Sequence, residues 1–404
     1  MKPPPAPSET DIRDPDLRAE MEQARGTPEF ADVLRYLGTK QRMRDSGQIQ
    51  PSQPRLNLDQ IRDPDLLKRV EGIKPGDRIG EHSIRAAIDE QARRDQKAAY
   101  LAKLKPIARR RELVRDSLAE PFSDENRYFV HSVLATCGLP YKKPAEGQGE
   151  YLSEYGRSSL VVQAGYLKDP ASGRMIKQGL PYGPKARLLM LHICTMALRQ
   201  NTNEIEIADS MSAFIRELGF EVTGGARGTI SQFKEQLHRL AASRMQIGLW
   251  KGDTTTTIST QPIEAFDVWL PTDPDQKMLW NTRLIMDEKF FRTLKVHALP
   301  VDMRTMRAFA HSAKQIDMVL WLFARLNQLE KPVPISWATL KTQFGRDIQS
   351  RDRKFRQSFS DDWKAIEEVF PKLRTRLTDN GILLHPGDGD VLLVPAKRVL
   401  PARK

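Results

Sequence analysis

An α+β fold, mainly helical, is predicted by three features of the 404-residue sequence. A long apolar helix, a short helix closed by glycine, a basic helix and a β-hairpin follow one another, and the same order recurs downstream. The two copies align internally, with Leu218 and Gly219 answering Phe344 and Gly345. The first 85 residues show none of this patterning. Together these predict two tandem winged-helix domains, residues 151–272 and 273–404, preceded by a loosely structured N-terminal arm.

The arm, residues 1–85, is rich in Pro, Asp, Arg and Gln and poor in aromatics, a composition that struggles to offset the entropy cost of ordering. Within it IRDPDL occurs twice, at Ile12 to Leu17 and Ile61 to Leu66, each time ahead of a charged, potentially helical segment. Asp before Pro favours turn initiation, so the repeat reads either as a turn and helix start or as a short partner-binding motif. Residues 86–150 form a basic helical segment and a linker. Between Gln91 and Arg115, nine basic residues face only Asp95 and Glu112, with a break at Pro106. Such a helix either tracks phosphates or is a solvated charged face.

In the first winged-helix domain, SSLVVQAGYL and GRMIKQGLPYG read as two strands joined at Asp169 to Gly173. Pro184 opens PKARLLMLHICTMALRQN, which is apolar on nearly every side and belongs inside a core. EIEI alternates as a short strand, and Asp209 or Ser210 caps a helix with Phe214, Ile215 and Leu218 on one face, closed by Gly219. TGGARGT then leads into a basic helix. MQIGLW and TTTTIST form a hairpin, with AFDVWL a third strand. In the second domain one long helical region covers DMRTMRAFAHSAKQIDMVLWLFARLN, Ser336 caps WATLKTQFG, and a basic helix follows from Ser350. The wing is expected as GILL, the turn HPGDGD, and VLLVP.

The glycines 224, 225 and 228 fit neither GxxxxGK[ST] nor GxGxxG, and no lysine follows at the phosphate-binding spacing. They suit instead the turn between two steeply crossed helices, where glycine takes positive φ at no steric cost. The expected DNA-binding residues are Arg227, Thr229, Ser231, Gln232, Lys234 and Arg239 on the first basic helix. On the second they are Ser350, Arg351, Arg353, Lys354, Gln357 and Lys364, opposite the apolar stripe Phe355, Phe359, Trp363, Ile366 and Phe370. These types address phosphates and base edges.

Lys and Arg number 64 against 52 Asp and Glu, and the net charge of +12 suits a polyanionic partner. Cys137 and Cys194 are far apart and lack ligand spacing, so no disulfide framework or metal site is indicated. The seven histidines form no HxH or HExxH pair, and the carboxylates of DPD and DGD sit in turn settings. No catalytic residue, metal or cofactor is expected, and the protein is not expected to be an enzyme. No apolar run has membrane-spanning length, and the cytoplasm is the expected location.

The segment QGLPYGPKARLLMLHICTMALRQNTNEIEIADSMSAFIRELGFEVTGGARGT, and the later PVDMRTMRAF, PISWATLKTQFG and FRQSF, resemble the plasmid-encoded RepA replication initiators and the broader iteron-binding Rep and TrfA-like proteins. The resemblance covers about residues 158–398. It implies binding to double-stranded origin DNA at direct repeats, opening of the adjacent duplex, and recruitment of a host replicative helicase and host initiator protein. It also implies homodimers in exchange with monomers, in a bacterial cytoplasm close to the plasmid and nucleoid. A transcriptional repressor using the same folds is the alternative.

Overall fold

The computed structural model describes residues 8–46, 58–73, 78–169, 172–206, 208–225, 227–266, 283–326, 329–345 and 352–386. The chain divides into two compact units, Met1–Lys103 and Leu104–Lys404.

In the first unit the two IRDPDL copies build the same helical hairpin twice. Helix α1 (Pro15–Ala24) packs on α2 (Phe30–Asp45), and α3 (Pro64–Val70) packs on α4 (Arg78–Lys103). Asp14 and Asp63 cap the first helix of each pair, accepting from the Asp16 and Asp65 N–H, while Pro15 and Pro64 take the first helical position. Ile12, Leu17 and Leu37 are buried in one hairpin, and Ile61, Leu66 and Ala87 in the other. A polar clamp is duplicated with them. Gln41 Oε1 accepts from the Arg13 and Asp14 N–H at 3.1 and 3.0 Å, and Gln91 Oε1 from the Arg62 and Asp63 N–H at 3.1 and 3.0 Å. Each glutamine amide donates at 3.0 Å to the aspartate four residues on, Asp45 or Asp95. Arg44 pairs with Asp14, and Arg94 with Asp63, both at 2.5 Å.

This corrects the loosely structured arm. Composition weighs the scarcity of apolar residues but not a buried glutamine that satisfies two backbone donors at once. The boundary falls after Lys103, because α4 runs without a break through residue 85.

The second unit opens with α5 (Pro106–Ser117), β1 (Arg127–His131) and α6 (Ser132–Cys137), so residues 104–150 belong to it rather than to a linker. Val114, Leu118, Tyr128 and Val130 are buried in a single core that continues to Leu384. Strands β2 (Glu150–Tyr155) and β3 (Ser158–Gln163) follow, then a small hairpin of β4 (Tyr166–Lys168) and β5 (Met175–Lys177), its turn tied by the Asp169 carboxylate to the Ser172 N–H.

Next comes a helical series: α7 (Gly183–Gln200), the short strand β6 (Glu204–Glu206), α8 (Ala208–Glu217) and α9 (Thr229–Ala242). The side chains of Asp209 and Ser210, expected as caps of α8, lie outside the described ones. Phe214, Ile215 and Leu218 are buried as their spacing predicts, and Gly219 ends the helix with φ +77°. Strands β7 (Arg244–Lys251) and β8 (Thr254–Thr260) pair as the expected hairpin. That hairpin joins β3 rather than β6, giving the order β2-β3-β7-β8. The reason is length and pattern: β3 offers six residues with Leu160 and Val162 fully buried, whereas β6 has three. Strand β6 pairs with β10 (Arg283–Ile285), which also holds β9 (Ala265–Phe266). The expected strand AFDVWL is therefore described only as β9, on a different sheet, and Asp267 to Leu270 lie outside the described residues.

After α10 (Glu288–His297), strand β11 (Ala298–Asp302) returns to pair antiparallel with β1. The long helical region expected next is two helices, α11 (Met303–Phe309) and α12 (Ala313–Leu326). They part where the Ser312 hydroxyl accepts from the Gln315 N–H and restarts the helix. Then come β12 (Val333–Ser336), α13 (Trp337–Phe344), α14 (Asp352–Val369), β13 (Thr375–Thr378) and β14 (Gly381–Leu384), with sheet order β12-β14-β13. Ser336 caps α13 by accepting from the Thr339 N–H at 3.2 Å. GILL pairs with TRLT across the tight turn Asp379-Asn380, a hairpin not expected from the sequence, whereas the expected partner VLLVP and most of the turn HPGDGD lie outside the described residues. Residues 387–404 lie outside the described ones.

Helices α7 and α12 are locked together by a buried ion pair. Arg187 Nε and Nη2 meet the Asp317 carboxylate at 2.6 and 2.8 Å, and Nη1 also donates to the Pro140 and Gly183 carbonyls. Gly138 makes room for it, since a β-carbon there would collide with Asp317 Oδ2.

Two outcomes are expected. Gln41→Leu or Gln91→Leu leaves two backbone donors unpaired and should cost about 1–3 kcal/mol, read as lost amide-exchange protection in its own hairpin only. Asp317→Ala strands a buried guanidinium and should cost about 3–5 kcal/mol in a denaturant melt, whereas Arg187→Met with Asp317→Leu should recover most of that loss.

Candidate nucleic-acid interface

The turn before α9 is built by the residues around its glycines. Gly225 has φ +81°, and a β-carbon on Gly228 would collide with the Gly224 carbonyl oxygen. Glycine at 228 is therefore required by the turn's own backbone. Gly228 caps α9 without a side chain, and the Thr223 hydroxyl accepts from the Thr229 N–H at 3.0 Å in its place. Ser231 Oγ donates to the Gly225 carbonyl at 2.6 Å, and Gln232 Nε2 to the Arg227 carbonyl at 2.9 Å.

Thr229, Ser231 and Gln232 are thus brought together, as turn-forming groups first. Arg227 and Gln232 are exposed beside them. Lys234 is half-buried, and desolvation pulls its ammonium below the usual lysine range. Arg239 is turned away from this surface. It pairs with Glu235 at 2.9 Å, donates to the Leu180 carbonyl and stacks over Tyr182, so it fastens α9 to the loop before α7. Gly179 leaves room for it, since a β-carbon there would collide with its guanidinium. A helical wheel places Arg239 on an outer face but carries no information about that loop.

Helix α14 divides as its sequence predicts. Phe355, Phe359, Trp363 and Ile366 are at most 1 % exposed, and Phe370 just beyond the helix is 4 % exposed. Phe359 touches the rings of Trp337, Phe344, Phe355 and Trp363. Opposite them Arg353, Lys354, Gln357 and Lys364 are exposed. Arg353, Lys354 and Lys364 form no ion pair with a described residue, while Gln357 donates to Asp361 at 2.9 Å. Ser350 and Arg351 lie outside the described residues. Arg356, absent from the expected set, is exposed one turn after Arg353 and lies 5.7 Å over Trp337. Its i+3 spacing from Arg353 is the sequence signal that points to it. Lys341 of α13 reaches Asp352 at 2.6 Å and holds its carboxyl below the usual range.

A cleft of about 1010 Å³ separates the β2-β3-β7-β8 sheet from α13 and is lined by Tyr155, Arg157, Trp250, Thr255, Arg325 and Thr339 among others. Hydroxyls, one exposed indole, the Glu154 carboxylate and two guanidinium groups give it a polar lining. Elsewhere His131, His192 and both cysteines are buried in the core. Burial lowers His131 to about 3 and His192 and His311 to about 4, which leaves them neutral at physiological pH, and raises the Cys194 thiol to about 12. Among the described residues no cluster of three or more His, Cys, Asp or Glu could hold a metal, and no helix is long and apolar enough to cross a membrane.

Comparison with known proteins finds no significant match among curated sequences. Among solved structures, a crystal structure of domains 2 and 3 of RctB, with selenomethionine, aligns with TM-score 0.39 at 9% identity, covering 58% of this chain and 84% of that one. A second structure of RctB domains 2–3 aligns with TM-score 0.41 at 8% identity, covering 65% and 99%. At these scores the likeness fixes neither topology nor function. A family model does match: residues 180–338, from the loop before α7 into α13, match the model of the plasmid-encoded RepA protein.

Proposed function

We propose that the protein is a plasmid replication initiator that binds duplex origin DNA through two tandem winged-helix motifs, with α9 and α14 as the groove-facing helices. One observation carries this reading. Helix α14 is the third helix in the series α12, β12, α13, α14, β13, β14, its apolar side is buried, and its opposite side presents Arg353, Lys354, Gln357 and Lys364. That order and sheet pairing suit a winged helix, whose third helix enters the major groove. The first motif keeps the order α7, β6, α8, α9 and a hairpin, although the hairpin belongs to a larger sheet. The RepA match supports the replication role.

The finer steps follow from that role: direct repeats as the site, opening of the adjacent duplex, recruitment of a host replicative helicase and host initiator protein, and homodimers exchanging with monomers. The setting is the bacterial cytoplasm, beside the plasmid and nucleoid. The protein works without a cofactor, as a binding protein rather than an enzyme. Footprinting across its own plasmid separates this reading from a transcriptional repressor. Protection of tandem direct repeats supports initiation, and protection of one palindrome over a promoter rejects it.

Replacing Arg353, Lys354 and Lys364 with Ala should abolish specific binding and plasmid maintenance without shifting the melting temperature, because each base-edge contact contributes about 1–3 kcal/mol. Phe359→Ala should instead cost about 3–5 kcal/mol of stability by emptying the aromatic cluster. In the turn before α9, Arg227→Ala should weaken all DNA sequences alike, while Gln232→Ala on the helix changes preference at particular bases, both read by binding to a panel of mutated sites.

A further inference from the structure

We infer that Arg110, Lys185 and Arg307 form a phosphate-binding site around the turn that closes α8, and that its occupant is a phosphodiester of the duplex backbone. Helix α8 ends at Gly219 in the left-handed region. A β-carbon there would stand 3.3 Å from Arg307 Nε and 3.5 Å from Arg110 Nε, so guanidinium groups from α11 and α5 converge on one glycine. Arg110 Nη2 donates to the Gly219 carbonyl at 2.9 Å, and its guanidinium lies 5.4 Å over the Phe220 ring. Lys185 Nζ lies 5.4 Å from the same ring. Three cations from three helices therefore surround two residues.

Four other basic side chains of α5, α11 and α12 have carboxylate partners. Arg111 pairs with Glu368, Arg115 with Glu112, Arg304 with Asp302 and Lys314 with Asp362. Arg110, Lys185 and Arg307 form no ion pair with a described carboxylate. Glu217, the acid in the field of Arg307, is held at 2.9 Å by the Tyr128 hydroxyl and also faces Arg199. Desolvation and then the neighbouring Arg307 charge pull Arg110 below its usual range, and desolvation does the same to Lys185. Three like charges gathered around one turn, with the shared Glu217 carboxylate against them, leave an excess of positive charge in the free protein, and a bound anion relieves that cost. The anion follows from position: Phe220 leads directly into the glycine turn and α9, and backbone phosphates are gripped beside a groove-facing helix.

The site rests on the DNA-binding reading above, and the test separates the two. Binding of the full chain to its footprinted duplex and to a scrambled duplex is measured between about 50 and 300 mM salt, for wild type, Arg307→Gln, and the triple Gln variant of Arg110, Lys185 and Arg307. Removing each phosphate-binding cation should flatten the slope of log affinity against log salt by about 0.9, equally on both duplexes. Arg307 is exposed and makes no described hydrogen bond, so its single variant decides the matter if the triple variant fails to fold. An unchanged slope, or an effect confined to the footprinted duplex, overturns the inference alone. Saturable binding of inorganic phosphate with an unchanged DNA slope also overturns it, by assigning the site to a free anion. Absence of any duplex binding by the wild type removes this occupant and the functional reading together.

Discussion

The second unit depends on the Arg187 to Asp317 pair. Two charges are taken almost wholly out of water inside the core, and only the bidentate geometry and the surrounding carbonyls make that tolerable. The pair joins α7 to α12. The segments that follow these two helices therefore share one continuous core instead of being connected as beads, with β1 and β11 pairing across the same region. An apolar contact of the same size would tolerate sliding. A two-pronged ion pair whose guanidinium also donates to the Leu139, Pro140 and Gly183 carbonyls does not, so the spacing between α9 and α14 is set by chemistry in the interior.

Net charge is a poor guide to where nucleic acid would lie. Several of the basic residues that make the chain cationic are engaged within the protein: Arg44 and Arg94 brace the helical hairpins, Arg239 fastens a loop, and Arg304 holds Asp302 and two carbonyls. The exposed residues without such partners are more informative. On α14 they share one side, whereas on α9 the polar groups first complete a turn.

Periodicity made the helices and most of the core legible. The stripe from Phe355 to Phe370 could be read directly because burial of an amphipathic helix repeats every turn. Pairings between distant segments could not be read that way. Nothing local in MQIGLW says that it will join SSLVVQ, nor in PVD that it will meet the RYFVH strand, since sheet partners are chosen by edges and lengths far apart in the chain. The outer side of α14 was legible because exposure alone decides it, as at Arg353 and Lys354. The outer side of α9 was hidden where a third element intervenes, as at Arg239. The glycines of the α9 turn were identifiable by type, but the backbone approach that demands Gly228 appears only in three dimensions.

The duplicated hairpin has a consequence for how this chain can change. Each copy closes its own glutamine clamp, cap and apolar cluster with residues from within its own span. The information for folding is therefore carried twice, in two separable cassettes. A gene encoding such cassettes can gain or lose one by recombination between the copies without leaving an unpaired half. The amino-terminal unit can then vary in length by whole cassettes, while the shared core of the second unit, tied across more than a hundred residues, admits no such unit of change.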